Sequence, residues 1–155
     1  MSIWRISLRG LAGGIVAAIT GSLVFGVLAP LLSIALSWFS GSSVPLSISL
    51  IFSVLLVVES VRYALLPSAA GGIILACLLY YTSRRSANLS RTGGIVGGLV
   101  GGTAGVVSFF AASSDSLYGA FGSYFPFDIL ALVIATILGG IVGTQLAWSV
   151  EGTIF

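Results

Sequence analysis

The sequence predicts an all-α fold, a polytopic transmembrane helical bundle whose helices pack closely through glycine. Three observations predict it. Of the 155 residues, 57% are hydrophobic and 6% are charged, whereas a soluble domain carries about 25% charged residues. The apolar residues fall into long stretches divided by short polar turns. Many of the 21 glycines recur at four-residue spacing within those stretches. A chain this short buries too small a share of its surface to hide so much apolar side chain from water. A disordered chain needs low hydrophobicity and high charge. Lipid is the solvent that fits, and a mean hydropathy of +1.18 agrees. The chain reads as a single integral membrane domain over residues 1–155.

The first element begins behind Arg5 and Arg9 and runs apolar over residues 11–39. A basic start before an apolar run resembles a signal peptide. The small-x-small site at Val27-Leu28-Ala29 is followed directly by Pro30, however, and the run continues to Phe39. It is therefore read as an uncleaved spanning helix. Its length would be roughly 43 Å against a hydrocarbon core of ~30 Å. The excess predicts tilt, a kink at Pro30 or a projecting end.

Ser40 to Pro45 form a turn, and residues 46–82 run apolar again, interrupted by Glu59, Ser60, Arg62 and Pro67. One helix over this stretch would measure roughly 55 Å, too long for one span. The preferred reading is a span over 62–82, with 46–60 at the interface or re-entering. The alternative splits the stretch at Pro67 and gives five spans. A polar loop over 83–90 carries Arg84 and Arg85, and residues 91–112 form the next span. A loop over 113–125 is rich in Ser, Gly and aromatics, and residues 126–149 form the last span.

Charge placement favours four spans over five. With four, Arg5, Arg9, Arg84, Arg85 and Arg91 share one side, which the positive-inside rule assigns to the cytoplasm together with both termini. Asp115 and Asp128 then share the other side. Five spans put the two arginine groups on opposite faces.

Glycine rows mark the contact faces. Gly93, Gly97, Gly101 and Gly105 recur every four residues, with Gly94, Gly98 and Gly102 beside them. The first span carries Gly10, Gly14, Ala18, Ser22 and Gly26. The second carries Ala64, Ser68, Gly72 and Ala76, and the last carries Ala135, Gly139, Gly143 and Ala147. In water each glycine would weaken a helix by nearly 1 kcal/mol relative to alanine. In lipid the backbone has no other hydrogen-bond partner, so the helix persists. Small residues then let helices approach closely, because in lipid they associate by van der Waals packing. An internal echo links residues 13–18 with 93–98 and 71–74 with 139–142, the pattern of a parallel repeat.

Three polar residues fall within or beside the spans. Glu59 and Arg62 are one turn apart and share a helix face. They are read either as an interfacial pair, with Arg62 snorkelling and Tyr63 anchoring, or as a functional intramembrane pair. Gln145 lies near Trp148 and suits an interhelical hydrogen bond or the interface. Ser47, Ser49 and Ser53 could line a polar path, though helical serines satisfy their own carbonyls. Trp4, Trp38, Tyr80, Tyr81 and Trp148 lie near span ends, and Tyr118, Phe121, Tyr124, Phe125 and Phe127 crowd the 113–127 region. Such rings favour the membrane boundary.

Reactive groups are scarce. There is no histidine, and Cys77 is alone, so a catalytic relay through histidine and the usual N/S metal sites cannot be assembled from one chain. Six arginines and four acids are too sparse for a nucleic-acid footprint. No cofactor is expected.

The segments Leu66-Pro67-Ser68-Ala69-Ala70-Gly71-Gly72, Arg91-Thr92-Gly93-Gly94 and Gly139-Gly140-Ile141-Val142-Gly143 resemble small, uncharacterised, glycine-rich multi-pass membrane proteins of haloarchaeal type. The resemblance covers residues 66–148. It implies a Pro-then-Gly-Gly helix, a glycine-ladder helix and a closing Gly-Gly-x-x-Gly helix. The chain departs from that pattern in its long 11–60 region and its few acidic loop residues. The resemblance implies architecture and no activity. The functional expectation is a small non-catalytic membrane protein, structural or accessory, that packs with itself or with a membrane partner in the lipid bilayer. The alternative is a small oligomeric transporter or channel.

Overall fold

The computed structural model describes residues 3–41, 46–82, 89–113 and 125–151. The described chain is all-helical: α1 (Ile3–Ser40), α2 (Leu46–Thr82), α3 (Leu89–Ser113) and α4 (Phe125–Glu151). Three stretches are long and apolar enough to cross a membrane, Ile3–Ser40, Ser53–Thr82 and Ile129–Val150. The remaining helix, α3, has the sequence LSRTGGIVGGLVGGTAGVVSFFAAS. Its glycines and Arg91 contribute little or negative hydropathy.

Pro30 lies inside α1 and Pro67 inside α2. Neither ends its helix. The segment 46–60, expected at the interface or re-entering, is continuous with 62–82 in one 37-residue helix. The break considered at Pro67 is absent for the same reason. A proline removes one hydrogen bond, and where neighbouring helices close around the freed carbonyl the helix runs on. Gly41, just past α1, has φ +70 and caps the helix in the left-handed conformation that glycine adopts without cost.

The helices form two antiparallel hairpins. α1 packs along α2, and α3 along α4. Across the first hairpin Gly10 meets Gly72, Gly14 meets Ser68 and Gly26 meets Ser53 and Val57. Across the second Gly93 meets Gly143, Gly97 meets Gly139 and Gly101 meets Ala135. The hairpins join through α1 against α4 and α2 against α3. α2 and α4 also touch across the centre, and α1 and α3 do not meet among the described residues. Exchanging the hairpins exchanges the two joining interfaces, so the bundle has an approximate two-fold axis along its length.

The core sits at one end. Ile6, Ala76, Leu89, Ala147 and Val150 form one buried cluster against Tyr80. Leu75, Leu79 and Leu146 form a second, against Val96, Val100 and Val142. The first cluster unites the start of α1, the end of α2, the start of α3 and the end of α4. From that common end α1 and α2 extend about ten residues, roughly 15 Å, beyond α3 and α4. The α1/α2 hairpin therefore has an apex of its own.

Candidate functional site

The residues of the expected contact rows differ in burial. In α1 the residues Gly10, Gly14, Ala18, Ser22 and Gly26 are all buried. In α2 Gly72 and Ala76 are buried, the latter completely. In α3 Gly93 and Gly97 are buried, while Gly94, Gly98, Gly101, Gly102 and Gly105 are partly so. In α4 Gly143 is buried and Gly139 is partly so.

Two adjacent rows on α3 differ in what they meet. The absent side chains of Gly97 and Gly139 each point at the other residue's carbonyl oxygen, and Gly93 and Gly143 repeat this one turn away. In that geometry a glycine Cα–H lies against a carbonyl across the interface. A Cβ at Gly93 would sit 2.5 Å from the Gly143 oxygen and 2.8 Å from Ala147 Cβ. One at Gly101 would sit 2.8 Å from Gly139 Cα, and one at Gly105 2.8 Å from Ala135 Cβ. The second row is looser. A Cβ at Gly94 would sit 3.2 Å from Thr144 Cγ2, one at Gly98 3.5 Å from the Thr136 oxygen, and one at Gly102 3.0 Å from Thr136 Oγ1. Only the first row requires glycine for backbone contact.

Between the hairpins glycine meets side chains. A Cβ at Gly13 would sit 2.8 Å from Val142 Cγ1, and one at Gly21 3.1 Å from Leu138 Cδ1. A Cβ at Gly71 would sit 3.1 Å from Val100 Cγ1. The hairpins are thus close-packed internally and joined by ordinary interdigitation of side chains.

The structure does not bring Glu59, Arg62 and Gln145 together. Arg62 Nη1 lies 3.7 Å from Glu59 Oε2 on the same helix face. The Arg62 guanidinium also sits 5.6 Å from the centre of the Tyr63 ring, within cation–π range. The Arg62 side chain is 67% exposed and that of Glu59 29%. Gln145, on α4 near the common end, is exposed, and its backbone carbonyl accepts a hydrogen bond from Ser149 Oγ at 3.0 Å. Arg62 and Gln145 lie on the outside of the bundle, Glu59 is half-buried, and apolar side chains fill the axis at the common end.

Several hydroxyls stay with their own helices. Thr136 Oγ1 donates to the Leu132 carbonyl at 2.8 Å and Thr144 Oγ1 to the Gly140 carbonyl at 2.9 Å. Polar contacts also cross between helices: Trp148 Nε1 donates to Ser90 Oγ at 3.0 Å, tying α4 to α3. Cys77 is half-buried, with its Sγ 4.0 Å from Ser7 Oγ.

Arg5, Arg9 and Arg91 are exposed at the common end, beside the exposed rings of Trp4, Tyr81 and Trp148. Arg84, Arg85, Asp115, Tyr118, Phe121 and Tyr124 lie outside the described residues. So do the side chains of Ser47, Ser49, Phe125, Phe127 and Asp128.

The geometry defines a class: among the described residues the chain is all-helical, with three helices long and apolar enough to cross a membrane. No protein-family model matches the chain, and no curated protein or solved structure matches it either.

Proposed function

We propose that the chain is a small, non-catalytic integral membrane protein of four spans, a structural or accessory subunit that packs with itself or with a membrane partner. The observation that carries this reading is where the polar groups lie. Among the described residues Arg62 and Gln145 are exposed and Glu59 is partly so, while glycine, alanine and leucine fill the interior with two buried serines, Ser22 and Ser37. A protein that moves a polar solute needs polar groups converging on an interior path. A protein that works by contact needs rigid helices and an outward face.

The four-span reading has geometric support. From Tyr81 to Glu59 α2 rises roughly 33 Å, close to the ~30 Å hydrocarbon thickness. The aromatic and arginine-bearing common end then marks the cytoplasmic boundary, with both termini on that side. Glu59, Arg62 and Tyr63 mark the far boundary. Side chains on a helix lean toward its N-terminus, so Arg9 leans toward the near boundary and Arg62 toward the far one. α3 spans as the close partner of α4. The every-fourth-residue rows act as GxxxG-type glycine zippers that hold each hairpin together.

Purification in mild detergent with mass measurement tests the reading. It predicts a fixed multiple of the 15.8 kDa chain, or the chain with one constant partner. Reconstituted liposomes should show no solute flux. Selective flux would favour the small oligomeric transporter or channel instead.

A further inference from the structure

The outward face of α2 between residues 51 and 66 carries a pattern that a purely lipid-facing helix does not need. Ile51, Val54, Leu55, Val58, Arg62 and Leu66 follow at three- and four-residue spacing, and all are exposed, Leu66 to 80%. Val54, Val58, Arg62 and Leu66 make one ridge at every fourth position, the kind of ridge that seats between the residues of a neighbouring helix.

We propose that this face docks against the same face of a second copy of the chain, in a parallel two-fold dimer where Glu59 of each copy pairs with Arg62 of the other. This rests on the reading of the chain as a self-packing membrane protein, and it names the surface and the partner.

Charge selects the partner. A two-fold interface is self-complementary, so if residue i meets residue j, then j meets i. One acid and one base a turn apart on one helix satisfy that condition without any second charged surface. Their axial offset is about 4.5 Å, within reach of an arginine side chain. At 3.7 Å the pair within one copy is longer than a hydrogen bond, so the carboxylate can accept, and the guanidinium donate, a closer bond. Other exposed apolar positions, such as Val16 and Ile19, gain as much from lipid tails as from protein. A guanidinium does not.

The length of α2 selects a protein cover over lipid. Ile51, Val54, Leu55 and Val58 lie past Glu59, toward the apex where α1 and α2 outrun α3 and α4. If the bilayer ends near Glu59 and Arg62, that apolar ridge stands in water, and burial against its own copy is favourable.

The test uses the full chain in bilayers, with differently tagged copies. Glu59→Arg gives a face with two arginines and Arg62→Glu a face with two acids. Each variant alone should dimerise about a hundredfold more weakly than wild type, because like charges meet across the axis. Co-expressed, the two variants should pair with each other and recover the wild-type dimer fraction. An ion pair confined to one helix cannot produce that recovery, since neither variant contains one. Retention of full dimerisation by either single variant, or no recovery in the mixture, overturns the proposal.

A second measurement leaves the charges intact. On a Cys77→Ser background, Val58→Cys should form a disulfide-linked dimer on mild oxidation and Val16→Cys should not. The reverse pattern, or no dimer from either, overturns the proposal. A wild-type chain that is monomeric and without a partner sinks the functional reading as well. A wild-type assembly that ignores these variants sinks only the α2 face.

Discussion

Gly97 of α3 and Gly143 of α4 meet backbone to backbone: a Cβ begun at Gly97 would lie 2.8 Å from Gly143 Cα. No side chain fits between them without moving a helix. Gly97→Leu should therefore destabilise the protein by about 3 kcal/mol or more, the upper range for overpacking. Alanine separates the rows on equal terms: Gly97→Ala puts its Cβ against the Gly139 oxygen and Gly143 Cα, whereas Gly98→Ala places its Cβ 3.5 Å from the Thr136 oxygen, an ordinary contact, and should change stability by less than about 0.5 kcal/mol. Thermal unfolding of the two alanine variants in detergent checks the contrast. Equal effects would mean that the two rows are not distinguished by backbone contact.

The joint between the hairpins should behave differently from the hairpins themselves. Gly13 is opposed by a side chain, with Val142 Cγ1 2.8 Å from its absent Cβ. Gly13→Ala should cost about 1 kcal/mol, and adding Val142→Ala should recover part of that loss. The double-mutant cycle should show a coupling of at least ~0.5 kcal/mol. No such rescue exists at Gly97, where the obstruction is backbone.

Gly41 is required for a different reason. Nothing lies within 4 Å of its absent Cβ, yet its φ is +70. Gly41→Ala should destabilise by about 1–2 kcal/mol through backbone strain alone. Gly41→Asn should cost less, since asparagine tolerates the left-handed region. Unfolding midpoints of the two variants give the order directly.

Single cysteines at Ser42, Asn88 and Ser116, on a Cys77→Ser background, report topology. Four spans place 42 and 116 on one face of the membrane and 88 on the other. A membrane-impermeant thiol reagent should therefore label 42 and 116 together in right-side-out cells. Labelling of 42 and 88 from the same face would exclude the four-span arrangement.

The helical class was legible because composition decides it: a chain so apolar and so poor in charge forms helices wherever lipid denies the backbone other partners. Four-residue spacing puts Gly10, Gly14, Ala18, Ser22 and Gly26 on one helix face, and all five are buried. Which row meets which was not legible, because rows of the same spacing are interchangeable until the helices are assembled. The sequence echo pairs Gly14 with Gly94. In the bundle Gly97 has the role of Gly14, against the carbonyl of Gly139 as Gly14 is against that of Ser68. The echo is thus three residues out of register with the structural equivalence. The continuity of α2 through Pro67 was hidden because a proline's effect depends on what closes around its freed carbonyl. The outward direction of Arg62 was hidden because a one-turn spacing fixes only that it shares a face with Glu59.

We propose that glycine brings these helices into backbone contact inside a bilayer. A Cβ lies about 1.5 Å from its Cα, so the Cα atoms of Gly97 and Gly143 lie within about 4.3 Å of each other. Solid-state NMR of the protein in lipid, with glycine Cα labelled, measures that contact directly. Backbone contact gives a through-space cross-peak between Gly97 and Gly143. A well-folded, helical sample in which the two Cα atoms show no such cross-peak would contradict it.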